Sequence, residues 1–368
     1  MAGRGTDDNL TPLLQLSSFP SSPTQPSKRS GKRSASLCGI VVQLNLFKIG
    51  VVYTITSAIS MRAIQKSNCY HKEGHEAACE YGSTLYMLAF GTVQILVSQI
   101  PDFHDTKWLS IVAATMSFTY SIIGSALSLA KAIGIVELIY TLEAEIAEDG
   151  QIKGSIGGVQ TATMPQKVWS VSQAIGDIAF AFPSAVILLE IQDTLKSPPT
   201  EKVTMKKAST MAICMTTFFY LCCGGFGYAA FGNSSPGNLL TGFYEPYWLI
   251  DFTNACIVLH LIGGYQVFSQ PQFAILERWF IQMFPNSGVV NHNHALKLPL
   301  LPTLRLNLLR LCLRTAYVAS TTGIAIMFPY FNQVVAVAGA FTFWPLVIYF
   351  PVEMYFVQAN VRPWTTKW

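Results

Sequence analysis

At 368 residues the chain is 51% hydrophobic and only 12% charged, with a formal net charge of +4. Soluble domains carry about 25% charged residues, so this composition excludes an ordinary water-soluble globule and indicates an all-α polytopic membrane protein. The polar segments hold no nucleophile elbow, phosphate loop or credible metal cluster, so neither an enzyme nor a nucleic-acid partner is expected.

Residues 1–36 are rich in Ser, Pro, Thr and Gly and carry the basic cluster "SKRSGKR". They read as a disordered cytosolic tail, and residues 37–368 as the transmembrane domain. The stretch "NLTPLLQLSSF" is too short and polar for a signal-peptide core. Eight windows then exceed the ~18 mostly apolar residues that a spanning helix needs. They run over Leu37–Met61, Tyr81–Ile100, Trp108–Ile133, Val168–Gln192, Ala208–Phe231, Tyr247–Leu276, Leu308–Phe328 and Val334–Val357. Windows such as "WLSIVAATMSFTYSIIGSALSLA" lack the wide polar face of a soluble amphipathic helix.

The first span carries Gln43, Asn45 and Lys48. After it, "CYHKEGHEAAC" sets Cys69 and Cys79 ten positions apart. A disulfide, a zinc site shared with His71 and His75, and two free thiols are the alternatives, and an oxidising exterior favours the first. The fourth span interrupts its apolar run with Asp177, Pro183 and Glu190. Pro183 lacks a backbone donor and its ring clashes with the carbonyl of Ala179, which predicts a kink or an unwound turn over Ala179–Ser184. Unwound backbone at membrane depth is tolerated where it lines a cavity or is buried in protein, so a substrate-binding break and a plain packing kink both remain open. Glu190, toward the far end, reads either as a coupling or gating acid or as a partner for a nearby lysine such as Lys196.

Asn233 in "NSS" is a glycosylation candidate. The sixth span holds Asn254, His260, Tyr265, Gln266 and Gln270, polar groups that serve either function or interhelical hydrogen bonding. One alternating set of connecting segments holds most of the 24 Lys and Arg residues, and by the positive-inside rule this puts both termini in the cytosol.

"GDIAFAFPSAVILLEIQDTLKSPP", "GYAAFGNSSPGNLLTGF", "HLIGGYQVFSQPQFAILE" and "FWPLVIYFPVEMY" resemble the plant amino acid permeases of the amino acid/auxin permease superfamily, from about Cys38 to Trp368. The resemblance implies a proton-coupled importer of neutral and acidic amino acids in the plasma membrane, with a LeuT-like inverted-repeat fold, alternating access and no cofactor other than the coupling proton. The spans correspond to the family's third to tenth helices. The break then matches the discontinuous sixth helix, which makes Ala179, Phe180, Phe182, Pro183 and Ser184 substrate-binding candidates. Gln43, Asn45, Tyr53, Asn254 and Tyr265 resemble neighbours of the same cavity, and Asp177, Glu190 and His260 are candidates for proton coupling or gating.

The chain also departs from the family pattern. The two opening helices, the first with a Gly-Ser-Gly break that receives the substrate carboxylate, and the eleventh helix have no counterpart in the sequence. Lys48 stands where the family has a small residue, "FAFPSA" replaces a Tyr/Ser-rich string, and "GIVELIYTLEAEI" at 134–146 looks like an insertion. These departures predict impaired transport, and the alternative expectation is a non-transporting paralogue that associates with full-length permeases.

Overall fold

The computed structural model describes residues 28–100, 107–134, 152–155, 163–182, 191, 195, 198–285, 293–296 and 304–358. The described chain is almost wholly helical. Helix α1 (Lys28–Glu73) is followed by α2 (Thr84–Ser98), α3 (Lys107–Ala132), α4 (Met164–Phe180) and α5 (Glu201–Phe231). Two 3₁₀ turns, Gly232–Ser234 and Leu239–Gly242, lead into α6 (Tyr247–Met283), and the chain ends in α7 (Leu308–Met327), α8 (Phe331–Phe343), a π-helical segment (Trp344–Tyr349) and α9 (Phe350–Gln358).

Among the described residues, five helices are long and apolar enough to cross a membrane: α1, α3, α5, α6 and the α8–α9 run. The other three windows depart from that expectation for visible reasons. Helix α2 has 15 residues, about 22 Å at 1.5 Å per residue against a hydrocarbon core of about 30 Å. Helix α4 ends at Phe180, and residues 183–190 lie outside the described residues. Helix α7 carries Arg310 and Arg314 in its first two turns, which lowers its hydropathy. Helix α1 begins at Lys28 rather than at Leu37, so the last basic residues of the expected tail are helical; residues 1–27 and most of the 134–146 segment lie outside the described residues.

Sequence chemistry accounts for several of the ends. Gly74, at φ 85°, closes α1, its amide bonding to the Tyr70 carbonyl at 2.9 Å. Left-handed backbone of this kind suits glycine and a helix C-terminus. Asn307 caps α7, its Oδ1 accepting the amides of Leu309 and Arg310 at 3.0 and 3.3 Å, which satisfies donors a helix start leaves open. Pro345 is the second residue of the π-helical segment and Pro351 follows its end, and the Phe350 amide reaches back five residues to the Pro345 carbonyl; a wider turn accommodates backbone bonds that proline denies the α-helix.

An antiparallel pair of strands, β1 (Asn293–Leu296) and β2 (Leu304–Asn307), was not expected. Asn293 faces Asn307, and Leu296 faces Leu304.

The chain divides into two compact units. The first comprises Met1–Leu46, Trp169–Ala212 and Val335–Trp368, the second Phe47–Val168 and Ile213–Val334. In the second, Phe90, Leu127, Leu240, Phe243, Ile257, Tyr265, Phe273 and Tyr317 form a continuous core contributed by α2, α3, α6 and α7 and the turn before α6. Val51, Ile55 and Ala58 of α1 form a second cluster with Met87 and Ala325, and Phe47 packs against both. In the first unit, the buried face of α8 (Val335, Ala336, Ala338 and Gly339) meets α4 at Gly176.

Candidate functional site

The expected break begins where the helix ends. Helix α4 stops at Phe180, the Ala181 amide is shared between the carbonyls of Asp177 (3.2 Å) and Ile178 (3.1 Å), and Phe182 is outside regular structure. The residue before a proline is disfavoured in the α region, so a helix stopping ahead of Pro183 follows from the sequence. Ala179, Phe180, Phe182 and Asp177 are all half-buried, and Asp177 Oδ1 is a buried acceptor with no hydrogen bond among the described residues. Pro183, Ser184 and Glu190 lie outside the described residues.

Of the predicted polar residues in the first unit, Asn45 is 4% exposed and Gln43 half-buried, both on α1. Tyr53, Asn254, Tyr265 and His260 belong to the second unit. Tyr265 is 1% exposed, and its hydroxyl is shared with Thr321 Oγ1 at 2.8 Å. Asn254 is fully buried and donates to the Ile250 carbonyl of its own helix at 2.9 Å. Tyr53 stands edge-on to Phe268, with its ring 2.9 Å from where a Cβ on Gly264 would be. Across the same interface a Cβ on Gly50 would meet Thr321 and Tyr265, each at 3.3 Å. Glycines at 50 and 264 therefore let α1 pack directly on α6 and α7, as small residues do between membrane helices.

His260 is half-buried between α6 and α3. Its Nδ1 is 3.0 Å from both the Ala113 carbonyl and Ser117 Oγ, and Tyr120 stands edge-on to its ring. The carbonyl requires a proton on Nδ1, which leaves Nε2 of the neutral ring as the proton-accepting atom.

Three pairings were not anticipated from the sequence, although Gln266 itself was singled out. Gln94 of α2 meets Gln266 of α6, with Gln266 Nε2 donating to Gln94 Oε1 at 2.6 Å and both residues fully buried. A lone Gln inside the apolar "FGTVQILV" was the available signal. Glu277 of α6 is bound by Arg314 and Arg310 of α7, and Gly176 faces Gly339 across the α4–α8 contact; charge pairing and glycine contacts at such sequence separations leave no local pattern.

At the end of the second unit where α1 finishes, Cys69 and Cys79 are joined by a disulfide with a Cα–Cα distance of 6.0 Å. Both sulfurs are used, which removes the thiolates that the zinc alternative needs. The loop and the end of α1 are fastened to the start of α6: His75 Nε2 is 3.1 Å from Glu245 Oε1, Tyr247 donates to the same oxygen at 2.8 Å, and Asn68 of α1 donates to Asp251 at 2.7 Å. Burial pushes the Glu245 carboxyl up, but the His75 and Tyr247 hydrogen bonds outweigh it and hold the group below the usual carboxylate range. Asn233 is exposed, in the turn after α5, and its Oδ1 accepts from Tyr228 at 3.1 Å.

Residues 27–368 match the family described as transmembrane amino acid transporter protein. The chain is 56% identical over 344 residues to "Probable amino acid permease 7" of Arabidopsis thaliana, covering 92% of this chain and 71% of that protein. It is 51% identical to amino acid permease 3 of the same plant, covering 92% of this chain and 69% of that protein. A more distant similarity, 29% identity, reaches lysine histidine transporter-like 1, covering 89% of this chain and 64% of that protein. No solved structure matches the chain significantly. The helical architecture and these similarities converge: the chain belongs to the transmembrane amino acid transporter family, among the plant amino acid permeases of the amino acid/auxin permease superfamily, a family of transporters and not of enzymes.

Proposed function

We propose that the protein moves neutral and acidic amino acids across the plasma membrane together with protons, by alternating access in an inverted-repeat bundle of the LeuT type. The observation that carries this reading is the end of α4 at Phe180 inside an apolar run. Transporters use helix breaks at membrane depth to hold charged substrate groups and coupling ions. On this reading Ala179, Phe180, Phe182, Pro183 and Ser184 present backbone to the substrate, and Gln43, Asn45, Tyr53, Asn254 and Tyr265 are its proposed polar neighbours, as the family resemblance implies.

His260 is the proposed proton acceptor, because its tautomer leaves Nε2 for the proton; Asp177 and Glu190 are the proposed gating acids. The buried, unpaired Oδ1 of Asp177 supports this, since an unpaired carboxylate oxygen at membrane depth is costly unless it binds something or takes up a proton. Both termini are proposed to be cytosolic, with the Cys69–Cys79 disulfide on the oxidising side.

The test is uptake of labelled neutral and acidic amino acids by yeast lacking its own permeases. The reading expects saturable uptake that is faster at external pH 5 than at pH 7, and no uptake by cells that display the protein at their surface would refute it.

A further inference from the structure

We propose that Gly339 is a positioning residue that fixes where α4 ends, and that it does so by direct backbone contact with α4's last hydrogen-bonded turn; this deepens, and rests on, the reading of the break as a substrate-binding element. A Cβ added at Gly339 would fall on the Gly176 carbonyl oxygen and 2.8 Å from the Phe180 amide nitrogen. Those two atoms stand four residues apart, the donor and acceptor of the last unshared i→i−4 bond of α4, one residue before the Ala181 amide that is divided between the Asp177 and Ile178 carbonyls. In return, a Cβ at Gly176 would fall on the Ala336 carbonyl. The two helices therefore touch peptide to peptide, with a Cα hydrogen of Gly339 directed at the Gly176 carbonyl.

Location separates this contact from ordinary small-residue packing. Beyond Phe180 the Ala181 amide is already divided between two carbonyls, and the next residue has left the helix. Gly339 thus braces the last intact turn before the break, where a methyl group would meet unyielding backbone rather than a flexible side chain. Displacing the Gly176 carbonyl weakens the Phe180 bond, so the end of the helix retreats toward Gly176 and the backbone groups offered to substrate change position. Other helix-interior glycines differ: among the described residues nothing lies within 4 Å of a Cβ built at Gly225 or Gly323, and one at Gly50, Gly91 or Gly264 would meet side chains rather than backbone.

The test compares the wild-type chain with Gly339→Ala and Gly339→Ser, and with Gly323→Ala as a neutral control, at matched surface amounts. One readout is the rate at which a thiol reagent labels Phe182→Cys, with the parent chain's free cysteines subtracted. The second is the concentration and pH dependence of amino acid uptake. The inference expects both Gly339 variants to alter Phe182→Cys labelling at least threefold, and to raise the half-saturation concentration at least tenfold with a much smaller change in maximal rate. Gly323→Ala should leave both unchanged. Unaltered labelling and half-saturation would overturn it, and so would failure of both Gly339 variants to reach the membrane, because the contact would then hold the fold rather than set the break. If the wild-type chain shows no uptake, the transport reading fails while the labelling experiment still decides the role of Gly339.

Discussion

Arg314 and Glu277 form the most completely bonded ion pair among the described residues. Arg314 Nε and Nη2 are both 3.0 Å from Glu277 Oε1, and each side chain is 11% exposed. Arg314 Nη1 also donates to the Ser98 carbonyl at the end of α2, and its guanidinium lies 5.1 Å from the centre of the Phe273 ring. One cation thereby joins α2, α6 and α7 and complements the negative end of α2. Arg310, 56% exposed, reaches the other Glu277 oxygen at 3.0 Å from the rim. Removing one partner of a buried pair strands the other charge, so Glu277→Ala should destabilise the protein by about 3–5 kcal/mol. Arg310→Ala should cost no more than about 1 kcal/mol. Thermal unfolding in detergent separates the two, and equal effects would contradict the distinction.

The glutamine pair makes a different prediction. Replacing Gln94 or Gln266 alone by Leu leaves its buried partner without the 2.6 Å hydrogen bond, at a cost of about 1–3 kcal/mol. The double replacement removes both polar groups and should be less destabilising than the sum of the single changes. Strict additivity in the same unfolding assay would show that the two amides do not depend on each other.

Gly264 tests the α1–α6 contact. An alanine there drives its methyl group toward the Tyr53 ring, which must move, and overpacking of this kind costs about 1–3 kcal/mol. Gly323→Ala, in open space, should be neutral or slightly stabilising, since alanine is the better helix former. Matching melting temperatures for the two variants would contradict the packing described.

The clasp at the disulfide end should respond to acid. Because the Glu245 carboxyl is held below its ordinary value of 4.5, the stability it contributes is complete above that value and is lost as the pH falls through the lower folded-state pKa. Melting curves should therefore show a loss of stability below pH 4.5 that Glu245→Gln lacks. Parallel acid profiles for the two proteins would remove Glu245 from that role.

Legibility in the sequence followed the range of the physics involved. Hydrophobic run length marked the helices, and the covalent limits of Pro183 marked the break, because both act within a few residues. The helical start at Lys28 was missed since a basic, serine-rich segment carries no apolar run to mark it. The β1–β2 pair was missed because four-residue strands give almost no periodicity. Among the candidate site residues, Tyr265 and Asn254 stood out as polar groups in an apolar helix. That the Tyr265 hydroxyl is committed to Thr321, and the Asn254 amide to Ile250, depends on packing and rotamer choice that no single-chain pattern encodes. The Gly176–Gly339 contact was invisible for the same reason: glycine is informative only once its neighbour is known.

The central claim is proton-coupled movement of amino acids, and purified protein in sealed liposomes tests it most directly. A pH-sensitive dye in the lumen is followed as a neutral amino acid is added outside at pH 6. The account predicts acidification of the lumen that saturates with amino acid concentration and accompanies uptake of the label. Amino acid uptake with no proton movement, or no uptake from liposomes shown to contain folded protein, would contradict it.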